Sequence, residues 1–183
     1  DTAFPTVKDW ADRMISDLRG RQPVPNLGVV GPSCGQGANW ILTHDFTHRT
    51  HAAIFGVHYP RSLPDWSSDD WITYVYEAFG AAHVLREVEL VHETKAVGRR
   101  YRPDAQAVRD AALAASIASG AAVAQAWVKG WAARLSAAAG CTGSAGASVT
   151  APLCSLLQNA ASGGGDGIAL QQTEVQVRNA GGV

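Results

Sequence analysis

The fold class this sequence predicts is mainly α, an antiparallel bundle of about four to five helices with a long Gly/Pro-rich loop before the second helix. Two observations carry that reading. Apolar residues recur at three- and four-residue spacing in several segments, and the alanine-rich run from Pro103 to Ala139 has the composition of one long helix. Period-two runs of β-branched residues, the signature of strands, are sparse by comparison.

The elements follow in order. In residues 6–19, TVKDWADRMISDLR, Val7, Trp10, Met14 and Leu18 share a stripe with charged residues between them, which predicts an amphipathic first helix ended by Gly20. Three prolines and four glycines between Pro23 and Gly37 predict a structured loop. A second helix is expected from Gly37 or Asn39 to Phe55, stopped by Gly56 and Pro60. Ser67, with Asp70 three residues on, resembles a capping box opening a long third helix to Lys95, with Trp71, Val75, Ala78, Ala82 and Leu85 on one stripe.

The fourth helix presents Leu113, Ile117, Ala124, Trp127, Trp131 and Leu135 on one face. Ala112, Ser116, Gly120 and Ala124 recur every four residues, a groove into which another helix packs closely. Its uncharged middle is long enough to span a membrane, but Ala, Ser and Gly contribute little to transfer into hydrocarbon, so a packing helix is expected and no transmembrane segment. Pro152 and the leucines after it suggest a short fifth helix. Residues 1–161 are expected to form a single helical domain, and residues 162–183, opening on the SGGGDG stretch, a flexible C-terminal tail.

Of the 183 residues, 46% are hydrophobic and 17% charged, a globular balance. The net charge of -1 provides no basic field for nucleic acid, and no nucleic-acid partner is expected. The chain opens on Asp1 without an initiator methionine, which fits a processed protein, secreted or extracytoplasmic. Cys141 and Cys154 flank a Gly/Ser/Thr/Ala-rich turn and are expected to bridge, leaving Cys34 free.

Chemistry concentrates between Gly31 and His58, GPSCGQGANWILTHDFTHRTHAAIFGVH. On a helix, Trp40, His44, His48 and His51 form one stripe. Two histidines at i and i+4 can chelate zinc, with a third ligand from His51, His58 or a neighbouring helix. The same stripe also reads as a polar surface. A third reading makes His44 a general base on water, while Asp45 holds a hard cation such as calcium together with loop carbonyls around Ser33, Gly35 and Gly37. Two further features bear on chemistry: Cys34 at a helix N-terminus would have its thiol pKa lowered by the dipole, and His83 and Glu87 lie one helical turn apart on the expected third helix.

The segment HDFTHR, His44 to Arg49, resembles the His-Asp-Phe-x-x-Arg signature of the small secreted phospholipases A2 of bacteria and fungi, and CGQG, Cys34 to Gly37, is similar to the calcium loop of that superfamily. The resemblance implies His44 as base, Asp45 as calcium ligand with carbonyls near Gly35 and Gly37, and an orienting carboxylate from the next long helix. Among Asp69, Asp70 and Glu77, Asp70 is preferred. The function so expected is calcium-dependent hydrolysis of a phospholipid or another ester. The alternatives are a helical protein binding a transition metal through its His-rich helix, and a noncatalytic binding module.

Overall fold

The computed structural model describes residues 2–3, 7–34, 40–63, 66–92 and 106–138. Among these, the chain runs β1 (Thr2–Ala3), α1 (Trp10–Gly20), β2 (Val29–Cys34), β3 (Phe46–Thr47), α2 (Thr50–Phe55), α3 (Ser68–Glu77), β4 (Ala82–His92) and α4 (Gln106–Ala138). The protein is therefore mixed α/β, and the expected all-helical bundle is wrong. Its strands form one sheet in the order β1-β4-β2-β3, with β2 and β4 parallel at the centre and both outer pairings antiparallel.

Two segments account for the correction. Leu27, Val29 and Val30 are buried within a Gly/Pro-rich stretch. A parallel strand covered on both faces reads as a short apolar run without alternation, which punctuation by Gly and Pro disguises as loop. Pro32 has no N–H to give the ladder, and the register breaks directly after it: Pro32 faces Leu85, but Ser33 faces Glu89. Residues 86–88 bulge out, and the Ser33 hydroxyl reaches the carbonyls of Arg86 at 3.5 Å and Val88 at 3.3 Å in place of the lost ladder bonds. The expected third helix ends at Glu77 because Gly80, at φ 61°, turns the chain into an extended β4 that buries Leu85, Val88 and Leu90. Ser67 does precede α3, but its side chain makes no capping bond.

Val29 and Val30 are both fully buried, the first among Leu42, Trp71, Ile72, Val75 and Tyr76, the second with Met14, Leu18, Leu85 and Val88. Successive strand residues face opposite sides, so α1 covers one face of the sheet and α3 the other. Met14 and Leu18 are the buried stripe expected for α1.

Helix α4 packs on α3 through the expected small-residue groove. A Cβ on Gly120 would sit 2.8 Å from Val75 Cγ2 and 3.1 Å from the Trp71 ring, and Trp71 Nε1 donates to the Ser116 carbonyl at 3.0 Å. Burying the Trp71 and Val75 side chains contributes on the order of 2 kcal/mol each. The stretch Asp110–Leu135 is long and apolar enough to cross a membrane by length and composition. The expected fifth helix, the Cys141–Cys154 bridge and the 162–183 tail lie outside the described residues, while Cys34 is a buried free thiol.

Candidate acid–base site

Gly31 sits at the centre of β2, where a Cβ would drive into the carbonyl oxygen of His44 and to 2.9 Å from Leu42 Cδ2. Its absence lets residues 42–45 lie flat against the strand. The Leu42 N–H donates to Thr73 Oγ1 at 2.9 Å, and that hydroxyl donates to the Asp69 carbonyl at 2.7 Å. His44 and Asp45 therefore occupy a turn pinned between β2 and the first turn of α3, not a helix. The residues 78–81 reverse the chain between α3 and β4, so the N-terminus of α3 points to the carboxyl end of the parallel pair, where open α/β sheets hold their ligands.

Asp45 is the centre of the cluster. Its side chain is only 4% exposed, and His58 Nε2 lies 2.8 Å from Oδ1 while the Tyr59 hydroxyl donates to Oδ2. An ionised carboxylate only accepts hydrogen bonds, so His58 carries its proton on Nε2 and keeps a lone pair on Nδ1 of a half-exposed ring. Burial, reinforced by the charge of Asp45, raises the Tyr59 phenol above its ordinary value, so it stays a donor.

His51 builds the turn that carries His58. It is 2% exposed, with Nε2 2.8 Å from the His58 carbonyl and Nδ1 2.9 Å from the Tyr76 hydroxyl. A carbonyl must accept, so Nε2 is protonated and Nδ1 takes the Tyr76 hydrogen. Burial holds His51 below the usual histidine range. Phe55, Trp71 and Tyr76 surround the ring with centroids at 4.9, 6.2 and 5.7 Å.

The Asp69 carboxyl is raised above its ordinary value, first by burial and further by the neighbouring charge of Asp45; the Asp70 N–H and His44 oppose the shift. The same carboxylate contributes to the rise at Tyr59. Asp69, Asp45, His44, His58 and Tyr59 thus form one electrostatic group. Of the carboxylates expected to face His44, Asp69 has an ionisation that feels it, and the charge of Asp70 acts on Tyr74.

The other expected site residues are dispersed. His44 Nε2 is buried. His48 Nδ1 receives the Thr50 N–H at 3.3 Å and lies 2.8 Å from its hydroxyl, closing the start of α2. With both nitrogens of His51 engaged as well, the three-histidine stripe does not form. Ser33 is turned to the β4 bulge, and Gly35 and Gly37 lie outside the described residues. Among the described residues, no group of three or more His, Cys, Asp or Glu is arranged to hold a metal ion. Each Asp45 oxygen accepts one hydrogen bond, Oδ1 from His58 and Oδ2 from Tyr59. Sequence reasoning missed Tyr59 and gave His58 only a ligand's part. The available signal was GVHYP, a His-Tyr pair set in a Gly/Pro-bounded loop.

Compared with known proteins, the chain matches no family model, no curated protein and no solved structure.

Proposed function

We propose that this protein transfers a group, acyl, phosphoryl or glycosyl, to a hydroxyl nucleophile, with His58 as general base oriented by Asp45; water as acceptor gives the ester hydrolysis first expected. The observation that supports this is the buried Asp45 carboxylate behind a half-exposed imidazole. A carboxylate on one ring nitrogen fixes the tautomer and stabilises the imidazolium that forms as the other nitrogen takes a proton. His44, with Nε2 buried, is worse placed to meet a nucleophile arriving from solvent. No step here runs through a metal.

The test is release of p-nitrophenol from an acyl ester, a phosphate and a glycoside, in water and with added alcohol acceptors. Turnover of one class that is lost in His58→Gln supports the reading. No turnover of any of the three, or turnover unaffected by the substitution, contradicts it.

A further inference from the structure

The segment that carries His58 also builds an apolar groove against α4. Its volume is about 300 Å³, at the lower end of the range for small-molecule sites. Helix α4 contributes Ala115, Ser119 and Val123, one turn apart and all exposed, so the groove opens to solvent. Facing them are Phe55 at the end of α2 and Val57, Pro60 and Ser62 beyond it. Trp71 and Gly120, both buried, lie deepest, beside Ser116.

Groove and base are neighbours. Val57 and Pro60 line the groove, while His58 and Tyr59 between them bond Asp45. The His51 ring adjoins both places: His58 lies at 5.1 Å, and Phe55 and Trp71 of the groove at 4.9 and 6.2 Å.

The lining restricts what can enter. Among the described residues that form it, none is ionisable. Of its three hydroxyls, those of Ser62 and Ser116 bond each other at 2.8 Å, and the Trp71 indole N–H is spent on the Ser116 carbonyl. A phosphoryl group would meet no cation there, and a sugar would leave most of its hydroxyls unpaired against carbon. A hydrocarbon chain gives up no hydrogen bond and gains by leaving water. Resting on the role proposed for His58, we infer that the group transferred is an acyl group whose hydrocarbon chain lies in this groove. As the acceptor hydroxyl oxygen bonds to the acyl carbon, His58 Nδ1 takes its proton. The ester C–O bond then breaks with its electron pair on the leaving oxygen, which the same proton neutralises.

Two measurements on the intact chain separate the groove from the base. Across p-nitrophenyl acetate, butyrate and hexanoate, kcat/KM should rise roughly fourfold per methylene, the worth of a buried CH₂. By calorimetry, hexanamide, which carries the chain without a leaving phenol, should bind saturably and acetamide should not. Ser119→Phe and Ala115→Leu, both at exposed positions, fill the groove from α4. With the far-ultraviolet circular dichroism unchanged, each should lower the hexanoate-to-acetate ratio of kcat/KM roughly tenfold and weaken hexanamide by a similar factor, as for losing the burial of about two methylenes. Turnover that His58→Gln abolishes but that ignores chain length, or a chain-length preference untouched by both groove variants, overturns the inference and leaves the role of His58 standing. So does turnover of the phosphate or the glycoside in place of the acyl esters, or no saturable binding of hexanamide. Hexanamide held in the groove with no ester turnover contradicts the role of His58 itself, and acyl transfer falls with it while the preference of the groove for an apolar chain stands.

Discussion

His58 Nε2 stands 2.8 Å from Oδ1 of Asp45, joining a half-exposed imidazole in the 56–59 turn to a buried carboxylate at the start of β3. The second oxygen of Asp45 is closed by the Tyr59 hydroxyl. Tyr59→Phe strips that donor from a buried charge, and the expected loss is ~1–3 kcal/mol of stability by urea denaturation. An unchanged midpoint would mean that water replaces the hydroxyl and that the cluster is more open than described.

His51 makes stability depend on pH in a defined direction. Because burial lowers it below 6.5, the unfolded chain binds a proton that the folded chain refuses between that lowered value and 6.5. Its contribution is intact above pH 6.5 and is lost as the pH falls through the window. Urea midpoints of the wild type should decline across that window more steeply than those of His51→Gln; equal slopes would contradict the assignment.

Asp69 acts with the opposite sign. Its folded carboxyl is raised above 3.8, so the folded chain keeps a proton there that the unfolded chain has already lost. Stability declines as the pH rises through the window above 3.8 and stays reduced beyond it. Asp69→Asn, which can still accept the Asp70 N–H as Oδ1 does at 3.1 Å, should raise the melting temperature at neutral pH and leave it unchanged at about pH 3. A lower melting temperature at neutral pH would show that the charge is better solvated than its burial suggests.

Gly120 tests the junction of α3 and α4. Gly120→Val puts branched carbons where a Cβ alone already meets Val75 at 2.8 Å, and overpacking of this kind costs ~1–3 kcal/mol, measurable by thermal unfolding. Retained stability would show that α4 can slide on its neighbour.

The helices were legible where one face is buried and the other is wet. The stripe Met14 and Leu18 marks α1, and Trp71 and Val75 fit the groove around Gly120 that the four-residue spacing predicts. The sheet was hidden for two reasons. Val29 and Val30 are covered on both faces, so β2 has no alternation to read. In β4 the residues 86–88 bulge, and Leu85, Val88 and Leu90 fall on a spacing that does not alternate cleanly. The site followed the same logic. Asp45 was singled out by its neighbours in sequence, but its partner His58 is 13 residues away and is brought to it only by the turn that His51 holds.

The proposed function requires Asp45 and His58 to act as one unit, which a double-mutant cycle measures directly. On the substrate the wild type turns over best, His58→Gln should lower kcat by about 10²–10⁴, the worth of a positioned general base. Asp45→Asn should lower it by up to about 10⁴, since an amide no longer imposes the productive tautomer. The double variant should be no slower than the slower single variant, as for residues that work as a unit. Losses that multiply in the double variant, or wild-type kcat in His58→Gln, would contradict the assignment of this pair as the acid–base centre.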